Sequence, residues 1–337
     1  MRSSLSYGRR KSQSNRLLVL GLIAALTAAG FYIFGGPDGD PVTPPLGRTA
    51  LEEPEESQDL PDGDSISQLP ESKGEETPEI LPPAPVPAEE LDDLAEIRAS
   101  IGRAEASGDL VRLRSLLGPA VLDVRFPSAV RRSWLKKVDK VNQKLVFSPR
   151  KCPGFRSVVL RRGDTYTHVA RRFRQQYGIR VGTGMLEKIN RRPAKRLRAG
   201  QSIKVPEEAL SLVVIKSDYR LYVLLGKVPV AHYPVGLGRD DLTPEATFTV
   251  AGKAKNPVWT DPRSGKVFRY GQEGHMVGSR WLGFYQDGRR TGFGIHGTSE
   301  PESIGKSRSD GCIRLHNRNV EALFDLVPEG TIIHVRA

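Results

Sequence analysis

The sequence predicts a multidomain chain: an N-terminal transmembrane helix, a disordered linker, a small helical region, a βααβ module and a mainly-β domain at the C-terminal end. Three observations predict it. Leu17 to Phe34 is a run of eighteen residues without a charge. Residues 36–90 carry fifteen Asp/Glu against two Lys/Arg, interleaved with prolines. From about residue 210 the apolar spacing changes from helical steps of three and four to β-rich runs divided by turn signals.

Residues 1–35 read as a cytoplasmic basic tail and a membrane anchor. The tail "MRSSLSYGRRKSQSNR" has five basic residues and no acid. The apolar run after it is long enough to cross a bilayer core, and the basic flank orients the N-terminus to the cytoplasm. A cleaved signal peptide is the competing reading. Against it, apolar residues continue through Phe31-Tyr32-Ile33-Phe34. Residues 36–87 have few large apolar side chains, many prolines and one dominant charge sign, so they cannot supply a core. They are expected to be an extended acidic tether. The net charge of +12 is therefore segmental, since residues 151–206 hold fifteen Lys/Arg against two Asp/Glu. A basic module suits nucleic acid or another anionic polymer. Placement outside the cytoplasm excludes nucleic acid.

Residues 88–150 form a helical spacer in this reading. Leu91, Leu94, Ile97 and Ile101 recur at helical steps, the pattern breaks at "SGD", and Val130, Trp134, Val138 and Val141 resume it. Residues 155–207 read as a compact unit. "SVVL" is a strand, Gly163-Asp164-Thr165 a turn that caps a helix, and Val169, Phe173 and Tyr177 the apolar face of that helix. A second helix ends near Asn190, and Gly200-Gln201 leads into a closing strand. Residues 210–337 follow as short strands separated by Gly and Pro, with enough chain for a core of their own.

The chain has two cysteines, Cys152 and Cys312. Outside the cytoplasm they invite a disulfide, although they lie in different domains. Cys312 with His316 and His296 is a thin set of zinc ligands, and an inert buried cysteine is the ordinary reading of a lone thiol. The surroundings of Cys312 in "SRSDGCIRLHN" favour a nucleophile. A reactive thiol needs a base or a positive environment and donors where an oxyanion forms. Gly311 permits close approach of a carbonyl, and an extended segment puts Cys312 and Arg314 on one face. The base must come from elsewhere. His296 is best placed, because Gly297 leaves room for a backbone carbonyl to accept from Nδ1 and leave Nε2 to take a proton.

Two resemblances then enter. Gly163-Asp164-Thr165, Ala170, Phe173, Leu186, Ile189-Asn190, Leu197, Gly200-Gln201, Ile203 and Val205-Pro206 make residues 155–207 resemble a LysM domain. This implies binding of N-acetylglucosamine-containing glycans, with Gly163, Asp164, Thr165 and Asn190 as candidate contacts. His296-Gly297-Thr298, Gly305, Ser309, Gly311, Cys312, Ile313, Arg314 and Leu315 fall in register with the signature of the YkuD-type L,D-transpeptidases, which residues 210–337 resemble. Three departures stand out: Asp310 where His is common, Asn319 where Asp is common, and Ala246 in place of the Gly of a Thr-Pro-x-Gly run.

The resemblance implies acyl transfer in peptidoglycan. The Cys312 thiolate attacks the third stem-peptide residue, His296 takes the proton, and the Gly297 carbonyl orients His296. The Gly311 region holds the oxyanion, while Ser309 and Arg314 orient the loop and the substrate carboxylates. A terminal D-amino acid leaves, and a neighbouring stem's amine completes a 3→3 cross-link. No metal or organic cofactor is implied. His275, Trp281, Tyr285 and Thr298 are the candidate substrate-binding residues, with core packing as the alternative for the aromatics. The partners are peptidoglycan stems and glycan strands, with the membrane met through residues 17–34. The catalytic domain is expected on the periplasmic side of the bacterial inner membrane. An L,D-carboxypeptidase, an enzyme attaching proteins to peptidoglycan, and a non-catalytic wall-binding scaffold are the other readings.

Overall fold

A computed structural model describes residues 88–337. The expected anchor at 17–34 and acidic tether at 36–87 lie outside the described residues. Among the described residues no helix is long and apolar enough to cross a membrane.

The helical region is three helices, α1 (Ala88–Ala106), α2 (Leu110–Leu122) and α3 (Ser128–Leu145). After α1 the chain turns at Gly108, whose φ is +69°, and Asp109 caps α2 by accepting from the Arg112 N–H at 2.9 Å. In α3 the buried residues Trp134, Leu135, Val138, Val141 and Leu145 recur at helical steps. Next come β1 (Phe155–Val159), α4 (Tyr166–Tyr177), α5 (Thr183–Asn190) and β2 (Ser202–Pro206). β1 and β2 pair antiparallel, from Phe155 opposite Pro206 to Val159 opposite Ser202. This is the strand–helix–helix–strand order expected of residues 155–207. Its core is Leu160, Tyr166, Val169, Phe173, Val181, Leu186, Ile203 and Val205. Tyr177, expected on the buried face of α4, is instead 40% exposed. It ends the helix, where its hydroxyl accepts from Arg156 at 2.7 Å.

The remaining elements are β3 (Leu210–Ile215), β4 (Arg220–Leu225), β5 (Val228–Pro234), β6 (Leu237–Gly238), β7 (Thr247–Lys255), β8 (Trp259–Thr260), β9 (Val267–Phe268), β10 (Arg280–Gln286), β11 (Arg289–His296), β12 (Ser307–Ser309), β13 (Ile313–Arg314), α6 (Asn317–Leu326) and β14 (Ile332–Arg336). Among the described residues, eight of them form one sheet in the order β13-β11-β10-β7-β14-β3-β4-β5. β14 runs parallel to β3 and β13 parallel to β11, while the other neighbours are antiparallel. The short pairs β12–β6 and β8–β9 stand apart.

The apolar runs "LSLVVI" and "LYVLL" are continuous rather than alternating because this end of the sheet is covered on both faces. Leu210, Leu212, Val214, Leu221, Val223 and Leu225 point into the core with α6. Val213, Ile215, Tyr222 and Leu224, the intervening positions, pack against Leu117, Trp134, Leu135 and Val138 of the helices. The helical region is thus the second layer of the sheet rather than a spacer. Arg131 of α3 is fixed there by a buried ion pair with Asp218 in the β3–β4 turn, with Nη2 donating to Oδ1 at 2.7 Å. Asn142 donates to the Pro229 carbonyl at 2.7 Å. The βααβ module is equally fixed. Met185 and Ile189 of α5 belong to the same core as Leu323 and Leu326 of α6.

Candidate active site

The site forms where β11 and β13 lie side by side at one end of the sheet. Ile295 pairs with Ile313 and His296 with Arg314, in parallel register. Neighbouring residues of a parallel pair project to the same face, and side chains alternate along each strand. His296 and Arg314 therefore share a face, and Cys312, two residues before Arg314, projects to that face opposite Gly294. The chain order of His-Gly-Thr and Gly-Cys-Ile-Arg thus becomes a juxtaposition in space.

The thiol is half-buried, with Sγ 4.0 Å from the Gly292 carbonyl. Burial pushes it up to about 11, against the lowering effects of the Gly294 N–H and of Arg314. His296 is buried, and Nδ1 donates to the Gly297 carbonyl at 2.5 Å. Burial holds the imidazole down at about 4; the Gly297 carbonyl works the other way, and Arg314 adds to the lowering. Near neutral pH the resting site therefore holds a protonated thiol and an uncharged imidazole. With Nδ1 carrying the proton, Nε2 is the nitrogen left to accept another, while the Val277 carbonyl near the ring also raises its basicity.

The loop before the thiol is held by its own polar groups. The buried Ser309 hydroxyl donates to the Cys312 carbonyl at 2.6 Å and accepts from the Gly311 N–H at 3.3 Å. Thr243, also buried, donates to the Gly311 carbonyl at 3.1 Å and accepts from the Gly238 N–H at 2.7 Å. Gly311 has φ +116°, and a Cβ there would lie 2.8 Å from the Leu242 carbonyl, so no other residue fits. The Gly311 N–H is thus committed to Ser309. Among the described residues the Cys312 N–H meets no acceptor, which narrows the donors expected for an oxyanion to that one. Arg314 is held by Glu300 at 2.7 Å, and its Nε has no hydrogen-bond partner among the described residues.

With this geometry in place, comparison with known proteins decides the family. The model of the L,D-transpeptidase catalytic domain, YkuD, matches residues 210–335. YkuD of Bacillus subtilis, which carries an L,D-transpeptidase name, is 30% identical over 183 residues, covering 52% of this chain and 96% of that protein. This chain belongs to the YkuD family of L,D-transpeptidases. It is an enzyme of that class, built on the family's mainly-β catalytic domain. YqjB of the same organism, with an L,D-transpeptidase name too, is 42% identical over 124 residues, 36% of this chain and 67% of its own length. A solved L,D-transpeptidase from Mycobacterium smegmatis aligns over 41% of this chain and 64% of its own, at 20% identity and a TM-score of 0.32, and adds no weight.

Within this YkuD-type domain, the expected substrate residues are placed as follows. Trp281 is buried and stacks on His296, with centroids 5.8 Å apart and planes at 22°. It covers one face of the imidazole. His275 is buried under the β8–β9 hairpin, where Nε2 donates to the Pro257 carbonyl at 2.8 Å and the ring meets Trp259 and Tyr270 edge-on. It anchors that hairpin. Tyr285 lies four residues along β10 from Trp281, about 13 Å away at strand rise. Its hydroxyl accepts from Arg290 Nε at 2.6 Å. Thr298 is buried and accepts from the Glu300 N–H at 2.9 Å, shaping the turn after the base.

Asp310 faces outward to Arg239 at 2.6 Å and Arg263 at 3.2 Å. Ala246 keeps an ordinary φ, so the replaced glycine leaves the turn unstrained. Neither Cys152 nor Cys312 is in a disulfide. No group of metal-ligating side chains occurs among the described residues.

The expected glycan contacts of the βααβ module are employed in folding it. Gly163 has φ +80°, and Asp164 accepts from the Arg161 N–H at 2.8 Å and from Arg172 at 2.9 Å. Thr165 caps α4 through the His168 N–H at 3.3 Å. Asn190 ties α5 to β2, accepting from the Lys204 N–H at 2.7 Å and donating to its carbonyl at 2.9 Å. Sequence reasoning missed Thr243 and Asn317 as parts of the site. The Thr243-Pro244 run was a visible signal for the first, but its hydroxyl's partner lies 68 residues away.

Proposed function

We propose that this enzyme acts on peptidoglycan, forming 3→3 cross-links through a thioester on Cys312. The observation that carries this reading is the parallel β11–β13 pair, which sets His296, with Nδ1 engaged by Gly297, beside the strand carrying Cys312 and Arg314. In the first step the sulfur attacks the carbonyl of the third stem residue as Nε2 of His296 takes the thiol proton. The C–N bond to the terminal D-amino acid breaks, and the proton passes to the leaving amine. In the second step an amine of a neighbouring stem attacks the thioester. The C–S bond breaks, and the proton returns through His296 to sulfur. A resting thiol and an uncharged imidazole suit this base-assisted attack without a standing ion pair. The Cys312 N–H supports the oxyanion, and Arg314, with an unused Nε, supports a substrate carboxylate.

Targeting belongs to the same proposal. The chain is read as anchored by residues 17–34 with its catalytic domain on the periplasmic side. Residues 155–207 are read as a LysM-type glycan-binding module. A 183-residue match to YkuD cannot fit inside residues 210–335, so it runs into the βααβ region, which supports that module as part of the shared architecture. Because Asp164 and Asn190 are engaged internally, glycan contact would fall on exposed neighbours such as Gly163 and Thr165.

The test is product analysis by mass spectrometry on defined tetrapeptide muropeptides, together with carbapenem labelling. Cross-linked dimers and a single adduct on Cys312 are expected. Release of tripeptide without dimers would reassign the acceptor to water, and a normal adduct on Cys312→Ala would sink the thioester.

A further inference from the structure

Asn317, the first residue of α6, sits five residues after the thiol and touches the segment that orients the base. Its Oδ1 accepts from the Ser279 N–H at 3.2 Å, and its Nδ2 donates to the Thr298 carbonyl at 3.1 Å. The reverse orientation of the amide would set N–H against N–H and oxygen against oxygen, so the two partners fix it. Two glycines make room for this side chain. A Cβ at Gly297 or at Gly278 would overlap Asn317 Oδ1. Gly278 also has φ +69°, which favours glycine independently.

The position of this amide bears on the chemistry. The chain segment it braces, Gly297-Thr298, is the one whose Gly297 carbonyl accepts from His296 Nδ1. Its contacts join three elements: Ser279 precedes β10, Thr298 follows β11, and Asn317 opens the helix that follows the nucleophile loop. The Leu315 N–H also donates to the His296 carbonyl at 2.8 Å, so base and loop are joined through the backbone on the near side and through Asn317 on the far side.

We propose that Asn317 is a positioning residue: by tying Thr298 to Ser279 across Gly297, it holds the Gly297 carbonyl on His296 Nδ1 and so keeps Nε2 as the proton-accepting nitrogen. The proposal rests on the reading of His296 as the proton acceptor. It accounts for the glycine of the His-Gly-Thr run as the counterpart of an asparagine twenty residues later.

The test uses Asn317→Asp, which keeps the acceptor for Ser279 but sets a carboxylate against the Thr298 carbonyl, and Asn317→Ser, which shortens both contacts without adding charge. Nitrogen-15 NMR of the imidazoles, with His296→Gln to assign the signal, reads the tautomer without any turnover. Carbapenem acylation kinetics across pH give the maximal rate and the half-saturating concentration separately. We expect a mixed tautomer in either folded variant and a maximal acylation rate lower by roughly 10- to 100-fold, with half-saturation little changed. An unchanged Nδ1–H tautomer, whatever the rate, overturns the proposal. If His296→Gln itself acylates at the wild-type rate, the reading of His296 falls and takes this role of Asn317 with it. If His296→Gln is inactive while the Asn317 variants keep the native tautomer, only the role of Asn317 falls.

Discussion

The two cysteines sit in regions that treat sulfur in opposite ways, although burial raises both thiols. Cys152 lies in the junction where the helical layer meets the sheet, beside Arg114 and Lys204, whose charges lower its pKa against burial. Cys312 has one arginine and an aspartate in the same balance. By nearby positive charge alone, Cys152 would be the better candidate. What Cys312 has instead is direction. A parallel strand puts His296 on its face, Ser309 and Thr243 hold the peptides on either side of it, and its own N–H is free of protein partners among the described residues. On the proposed reading, reactivity at Cys312 follows from positioned acceptors and donors rather than from local charge.

Separating these two regions by mutation gives the largest effects. Cys312→Ala should abolish the carbapenem adduct and all cross-linking, scored by intact-protein mass. Cys152→Ala should label normally and lose about 1 kcal/mol of stability by urea denaturation. Next is the brace of the Cys152 region. Arg131→Met leaves the Asp218 carboxylate buried beside the Tyr222 hydroxyl, 3.2 Å away, and should cost about 3–5 kcal/mol. Replacing both partners by apolar residues should recover much of that. The acylation rate per folded molecule should stay unchanged, and a rate that falls with stability would tie the two regions together more closely than drawn here.

The base gives a smaller, pH-dependent signal. His296 is held at about 4, against an ordinary value of 6.5. Above pH 6.5 the ring is neutral folded or unfolded and favours neither state. As pH falls below 6.5 the unfolded chain takes up the proton first, so stability is lost progressively down to about pH 4. At 1.36 kcal/mol per pH unit this amounts to on the order of 3 kcal/mol. The melting temperature of His296→Gln should therefore fall less between pH 6.5 and 4 than that of the unmodified protein.

Which of these features were legible in the sequence follows from how local their causes are. The neighbouring of the His296 and Cys312 segments was readable because both lie in short motifs with fixed spacing. The βααβ order was readable because Thr165 and Gly200 punctuate it. The covering of β3 and β4 by α2 and α3 was not, since an apolar run such as "LSLVVI" states that both faces are buried without naming what buries them. The partners of His275, Tyr285 and Thr298 were not legible for a related reason. A polar or aromatic residue near a motif in sequence can have its partner within the fold, as His275 has in Pro257, 18 residues away. Asn317 stood inside the quoted motif, yet its partners Ser279 and Thr298 come from two other segments.

Asp310 yields the smallest expected effect and the sharpest check on the comparison. An acid two residues before the thiol threatened to suppress it, and charge alone would make that a major handicap. In the fold Asp310 is exposed and turned to Arg239 and Arg263, and among the influences on Cys312 it ranks below burial, the Gly294 N–H and Arg314. Exposed charges shared with two arginines act weakly through solvent. Asp310→Asn should thus raise the rate of Cys312 alkylation by iodoacetamide at pH 8 by no more than about fivefold, since exposed pairs are worth roughly 0–1 kcal/mol. The difference should shrink in 1 M salt, where the screening length is about 3 Å. A tenfold or larger increase that survives high salt would mean that local charge does govern this thiol, and the contrast with Cys152 would have to be redrawn in electrostatic terms.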